Sequence, residues 1–543
     1  MNKKFICFII AFILAGCDGS GAGEKDGGVQ DGTVQDGNKA DAGDADTDAD
    51  TDTDSDSDAD ADSDADGDLD AGEDACMYDP EDRVGWVRTW GGEDSEQGNA
   101  VAVGPDGTVV VGGEFWGPAD FDPGPGEDIF TPDNISAGFV SKYTDDGEYV
   151  WTKVINGSWS VEVYETGITD YGDIIAAGPF SNTADFDPGS GVENKTAQGN
   201  LNGYILKLNG EGEYGWVYVI RGDGYVNMLT MDLSDSGSIY AGGDFDTTIQ
   251  FDYDGGAVSY SNNGDDDSFI AKMDLEGELL WAMHVGGNGK DRAWGVAAGP
   301  DDSVAVIGEF SKIMDMDPGP GVDEHTADIN DVYLIKLDSD GNYEWGRHIQ
   351  GPGIEFGRAV EVDDDGNIYA AVEHSNQVDF DPDTAGFEAD CESEKCVSIV
   401  KYDLFGIYLW SGTSDTDGNL HVYEIKTIPE GILATGIFYG YMDFDPGPGQ
   451  MIEGRDGSLG WNTYVYHLLS DGSYGWVTTI GNPGDCTGLS LDIKMNEYVV
   501  VSGYFYFTVD FDPTACRDER YAGMDYDDMD SFLWKLSIGG NYY

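Results

Sequence analysis

Three observations predict an all-β, seven-bladed β-propeller. The heptapeptide Asp-Phe-Asp-Pro-Gly-Pro-Gly returns at a fixed step, β-patterned runs surround every copy, and one tryptophan marks the same place in each unit. Taking the first residue of each copy (120, 185, 250, 315, 379, 443 and 510), the steps are 65, 65, 65, 64, 64 and 67 residues. The copy at 250, Gln250-Phe251-Asp252-Tyr253, is the weakest. Self-similarity at such a period means that each unit buries its apolar faces against its neighbours. Four-stranded units stack radially in a propeller and leave only short edges. A parallel β-helix has shorter rungs, and a string of sandwich domains has longer units.

In the first unit, Ala100-Val101-Ala102-Val103, the turn Gly104-Pro105-Asp106-Gly107 and the run 108–115 read as a hairpin around a Pro-Asp-Gly turn. Gly138-Phe139-Val140-Ser141-Lys142-Tyr143, the turn Asp145-Asp146-Gly147 and the run 149–154 complete four antiparallel strands, called A to D in chain order. Strand C recurs as Tyr204-Ile205-Leu206-Lys207-Leu208, Phe269-Ile270-Ala271-Lys272-Met273 and Tyr333-Leu334-Ile335-Lys336-Leu337, among others. Strand D carries Trp86, Trp151, Trp216, Trp281, Trp345, Trp410 and Trp476. These rings are expected in the core between neighbouring sheets. The Gly-x-Phe ending of strand B, as in Gly113-Glu114-Phe115 and Gly243-Asp244-Phe245, reads the same way; the fifth unit departs from it with Val372-Glu373-His374. No helical period appears in this part of the chain.

The joint pattern of Gly-x-Phe, Asp-Phe-Asp-Pro-Gly, aromatic-x-x-Lys-Leu, Asp-x-x-Gly and Trp resembles the bacterial seven-bladed (SBBP) β-propeller repeats over residues 84–543. For function the resemblance implies only extracellular or surface display. The last unit has strand C at Phe532-Leu533-Trp534-Lys535-Leu536 but no tryptophan strand, whereas Val84-Gly85-Trp86-Val87-Arg88-Thr89-Trp90 has no strand C before it. Pairing the two would close the ring and remove two open β edges.

Ahead of the repeats, Lys3 and Lys4 precede the apolar run 5–14, which is too short to span a bilayer and reads as a secretory signal over residues 1–16. Leu14-Ala15-Gly16-Cys17 resembles the lipobox of bacterial lipoproteins, which implies cleavage before an acylated Cys17 and stable membrane attachment. Asp18 is the residue that favours inner-membrane retention in enterobacteria, although other groups sort differently and a stalked binding protein suits the outer membrane facing the exterior. Residues 17–76 form an Asp-, Ala-, Thr- and Ser-rich stalk with almost no apolar side chains, expected to be disordered and extended over a reach on the order of 200 Å. Its alternating aspartates lack the glycine-punctuated loop that fixes calcium ligands.

The formal charge of −81 argues against nucleic acid and anionic membrane surfaces as partners and leaves cations, basic proteins and neutral glycans. In a four-stranded blade the D-to-A and B-to-C connections share one face, so all the Asp-x-Asp loops gather there. The pairs Asp120 and Asp122, Asp185 and Asp187, Asp315 and Asp317, Asp379 and Asp381, Asp443 and Asp445, and Asp510 and Asp512 are candidate Ca²⁺ ligands. The competing expectation is that each carboxylate caps the backbone of its Pro-Gly turn. Capping is favoured because no copy supplies an Asp-x-Asp-x-Asp-Gly series with a later Glu.

Cysteine use fits an oxidising compartment. Cys391 and Cys396 would close a small loop, Cys486 and Cys516 share a face and are expected to pair, and Cys76 is left over. The six histidines occupy no repeated position, and neither a catalytic nor a phosphate-binding motif is present. The resulting expectation is a monomeric, lipid-anchored propeller of the bacterial envelope that binds an extracellular protein or glycan without chemistry. A carbohydrate-active hydrolase or lyase using carboxylates on the loop face is the alternative.

Overall fold

The computed structural model describes residues 85–382, 389–391, 395–454, 460–481, 483–514, 517–523, 526 and 528–542. Every regular element among them is a β-strand. The signal segment, Cys17, the stalk and Cys76 lie outside the described residues.

Six antiparallel units of four strands follow one another along the chain, and the second, third and fifth are extended to six strands by a hairpin of the next unit. The first joins Glu96–Val103, Val109–Phe115, Ala137–Tyr143 and Tyr149–Ile155 in chain order. The same order repeats in the sheets that open with Glu165–Ile168, Val226–Leu233, Asp291–Ala298, Phe356–Val362 and Asn419–Ile428. A further sheet is composite: Pro483–Lys494, Tyr498–Asp510 and Asp530–Ser537 are followed by Trp86–Gly92, paired in register from Trp86 with Lys535 to Trp90 with Ser531. Consecutive A strands touch one another, and Glu96–Val103 touches Pro483–Lys494, so these strands form an inner ring. The molecule is a β-propeller.

Middle strands are covered on both faces by neighbouring sheets, which is why they read as continuous apolar runs rather than alternating ones. In Val109–Phe115 and Val304–Phe310 every residue is buried. The Phe of Gly-x-Phe meets the Phe of Asp-Phe-Asp edge to face, with centroids 5.2 Å apart for Phe115 and Phe121 and 5.1 Å for Phe180 and Phe186. His374 takes the place of that first Phe in the fifth unit and meets Phe380 at 6.0 Å.

The strand D tryptophans differ from the expectation. They are half-buried, and Trp86, Trp216, Trp281, Trp345 and Trp410 staple one sheet to the next, whereas Trp151 Nε1 is buried without an acceptor. Trp216 Nε1–H donates to the carbonyl of Leu275 at 3.1 Å, and Trp281 and Trp410 reach Ser339 and Ser470 in the same way at 3.1 and 3.0 Å. Trp86 of the composite sheet reaches Asp145 at 3.1 Å. Each acceptor lies in the C-to-D turn of the following sheet, whose glycine lies beneath the indole at positive φ, as with Gly277 at +87°. The strand C lysines reach the same turns: Lys272 Nζ donates to Ser339 at 2.9 Å and Lys535 Nζ to Asp145 at 2.8 Å. The Trp, the Lys and the Asp-x-x-Gly turn of the repeat are thus three parts of one junction.

Candidate functional site

The Asp-x-Asp segments stand where the sequence puts them, in short hairpins between strands B and C. Asp120 Oδ1 accepts the amides of Asp122 at 3.1 Å and Asp128 at 2.9 Å, and Asp122 Oδ1 accepts that of Gly124 at 2.8 Å. Asp185, Asp315, Asp443 and Asp510 repeat the double acceptance across the loop, at 2.7 to 3.2 Å. Asp187, Asp317, Asp445 and Asp512 repeat the turn cap at 2.7 to 2.8 Å, and Asp379 accepts the amide of Asp381 at 3.1 Å. These carboxylates therefore hold loop backbone. Among the described residues no group of three or more His, Cys, Asp and Glu side chains is arranged to hold a metal ion. Several of the hairpins also clip onto a neighbour: Asp120 pairs with Gly91, Gln250 with Arg221 and Asp443 with Asp415 on the outer strand of the preceding sheet.

Cys391 and Cys396 form a disulfide. The pairing expected for Cys486 is not made. Its side chain turns into the core beside Phe505 and Phe532 as a free thiol, and burial pushes it up to about 12. Cys516 lies outside the described residues.

The inner ring holds what the sequence reading missed. Strand A carries one extra residue against strand B between Gly98 and Ala100, Met228 and Thr230, Ala293 and Gly295, Gly357 and Ala359, Val422 and Glu424, and Gly488 and Ser490. The bulged residues are Asn99, Leu229, Trp294, Arg358, Tyr423 and Leu489, and Tyr164 holds the equivalent place in the second sheet. A bulge turns a side chain away from the ladder, a device common beside binding sites. The glycine of Gly-x-Phe was its signal, because a Cβ on Gly113 or Gly243 would run into the carbonyl of Gln97 or Asn227 at the bulge.

Three of these residues belong to a continuous arc over the fourth to sixth sheets. The guanidinium groups of Arg292 and Arg358 lie 5.3 and 5.2 Å from the ring of Trp294. Arg358 donates to Glu373 Oε2 at 3.2 Å, and Glu373 Oε1 lies 3.2 Å from His421 Nδ1 and accepts the Val422 amide at 3.1 Å. His421 stacks on Tyr423 at 6.0 Å and packs against Trp461 at 5.9 Å, which in turn meets Tyr439 at 6.1 Å. Burial would raise the Glu373 carboxyl, but Arg358 and His421 outweigh it and hold it down at about 2. Further along the same strands, Lys426 sits 3.4 Å from Glu361 and 3.8 Å from Glu424. Burial would lower this ammonium, yet Glu361, Glu424, Asp232 and Asp492 keep it well above its ordinary value.

No family model matches the chain. It is similar, at 24% identity over 272 residues, to an uncharacterized WD repeat-containing protein, L264, of Acanthamoeba polyphaga mimivirus; the match covers 43% of this chain and only 19% of the relative's length. Among solved structures it is similar to Sqt1 from Chaetomium thermophilum at 10% identity, covering 81% of this chain and all of the other, with a TM-score of 0.35. A polysaccharide lyase of family PL25, an ulvan lyase bound to -[GlcA(1-4)Rha3S]-, is similar at 12% identity over 77% of this chain and 93% of its own, with a TM-score of 0.34.

Proposed function

We propose that the chain is a lipid-anchored envelope protein, acylated at Cys17, whose stalk presents a seven-bladed propeller of the SBBP type. The seventh blade is the composite sheet. The propeller binds an extracellular protein or glycan, without chemistry, at the mouth of the inner ring on the loop face. One observation carries this reading: the repeat largely keeps its junction residues while the bulge positions change from unit to unit, holding Asn99, Tyr164, Leu229, Trp294, Arg358, Tyr423 and Leu489, with only leucine used twice. Variation confined to one level of a uniform scaffold is what selective recognition of a partner requires.

The test probes the full chain with a glycan array and an envelope extract, alongside Trp294→Ala and Tyr423→Ala. Tyr171→Ala serves as control, because Tyr171 is 86% exposed on an A-to-B turn, away from the ring. Binding lost in the first two variants and kept in the third supports the reading; binding unchanged in all three refutes it.

The grouping of Glu373, His421 and Arg358 beside Trp461 favours a second reading, a carbohydrate-active enzyme. Release of reducing ends or unsaturated products from a polysaccharide panel, abolished by Glu373→Gln, would replace the binding reading with this one.

A further inference from the structure

At three junctions on the loop face, two equivalent backbone positions both carry an acid. The amide of Glu96 donates to the carbonyl of Met529 at 2.9 Å, that of Asp291 to Asp266 at 2.8 Å, and that of Glu355 to Asn330 at 3.0 Å. These bonds set Glu96 beside Asp530, Asp291 beside Asp267, and Glu355 beside Asp331. At sister junctions the same bonds, both 3.0 Å, set Val226 beside Asn202 and Cys486 beside Asn462, which are uncharged.

Except for Asp530, which is partly covered, the paired acids are at most 1% exposed. One oxygen of each of four is satisfied. Glu96 Oε2 accepts the Gly92 amide at 3.1 Å, Asp267 Oδ2 that of Asn263 at 2.8 Å and Asp291 Oδ2 that of Gly287 at 2.6 Å, while Asp331 Oδ2 lies 2.6 Å from His348 Nε2. The other oxygens, Glu96 Oε1, Asp267 Oδ1, Asp291 Oδ1 and Asp331 Oδ1, are buried without a hydrogen-bond partner, as are Asp530 Oδ1 and both oxygens of Glu355. In the first pair, Asp530 Oδ1 and Glu96 Oε2 crowd the one point where a Cβ on Gly91 would sit. Two carboxylates that face each other in this way, with no donor between them, lack one hydrogen bond donor. A proton on either group supplies it.

We infer that each pair holds one proton between its two carboxyl groups, so that the three junctions are latches that tighten the ring below neutral pH and loosen it above.

The surroundings favour the proton. The other titratable groups facing the first pair are Asp94 and Asp528; Asp266 and Tyr333 face the second, with His284 3.8 Å from Asp267; Asp328 and His348 face the third. Burial first, and then the neighbouring acid, push Glu355 to about 8, and Asp291 to about 7. Burial and Asp528 bring Asp530 to about 7, and Glu96 is held well above the carboxylate range. Each folded value lies above that of the unfolded chain, near 4. The folded state therefore binds the extra proton. Its stabilisation is present in full below about pH 4 and is lost as pH rises through about 7 at Asp291 and Asp530 and about 8 at Glu355.

Urea unfolding of the full chain between about pH 5.5 and 8.5 tests this, comparing wild type with Glu96→Gln, Asp291→Asn and Glu355→Gln. In wild type the unfolding constant should rise about tenfold per pH unit for each pair still holding its proton. Each amide variant keeps a permanent N–H donor in that place. It should lose one such factor and be more stable than wild type at the alkaline end, a reversal that a merely structural defect does not produce. Variants that keep the wild-type slope, or are weaker at every pH, overturn the proposal. So does stabilisation by Ca²⁺ at the alkaline end that the amide variants abolish, since a divalent cation would then occupy the pairs.

Discussion

Gly277→Ala strikes the staple between the second and third sheets. Gly277 has φ of +87°, and a Cβ there would lie 2.8 Å from the indole of Trp216. Placing alanine at such a φ costs about 1 kcal/mol. Moving the indole loses the 3.1 Å bond from Trp216 Nε1 to Leu275, about 1 kcal/mol. Lifting a half-buried ring from its contact removes about 1 to 2 kcal/mol more. Gly172→Ala is the control, because Gly172 has φ of +80° with no atom within 4 Å of its would-be Cβ. The control should lose about 1 kcal/mol and Gly277→Ala about 3 to 4 kcal/mol, read from urea midpoints at equal slope. Equal losses in the two variants would show that the indole contributes nothing to the junction, and the account of the repeated Trp and Gly would fail.

Asp185→Asn, which retains a side-chain carbonyl for the amides of Asp187 and Glu193, should be nearly neutral, whereas Asp185→Ala should lose about 2 kcal/mol. A calcium titration of melting temperature should separate this capping role from metal binding, because a metal site would suffer from both changes. Removing residues 84–92 should expose the edge of Asp530–Ser537 and yield oligomers in light scattering, and a stable monomer would speak against the closure. Glu373, held at about 2 against an unfolded value near 4.3, has a depressed folded pKa. Its contribution of about 3 kcal/mol is present above pH 4.3 and is lost as pH falls through about 2, and Glu373→Gln should remove that acid-side slope in urea titrations. Reducing the Cys391 to Cys396 bridge, which closes only a short loop, should lower stability by about 2 kcal/mol.

The period, the four strands of each unit and the burial of Phe121 and its counterparts were legible because apolar alternation and turn residues are local signals. The bulge was not, because Asn99, Trp294 and Arg358 have nothing in common except their offset from Gly-x-Phe, and a repeat search discards the positions where copies disagree. Trp216 was read as core from its size. Its actual place, half-covered above a glycine of the next unit, depends on a contact 59 residues away. Cys486 failed for a related reason. Its shared face with Cys516 follows from topology, but the direction of its side chain follows from the register with Phe505, which spacing alone does not give.

The staple rests mainly on backbone acceptors, with a carboxylate added where a turn of the next unit supplies one, as Asp145 does for Lys535 at 2.7 Å and Asp302 for Lys272 at 2.6 Å. An indole N–H and a lysine meet carbonyl oxygens of a turn, and every turn has carbonyls; the one demand is a residue without a side chain beneath the ring. The indole-and-glycine part of the junction therefore asks little of which unit follows which. A unit duplicated, lost or moved would find its junctions already made, and only the angle needed to complete the circle would object. As far as these staples are concerned, the number of units is limited by geometry. Residues such as Trp294 and Tyr423 are correspondingly free to change without disturbing the joints that hold them.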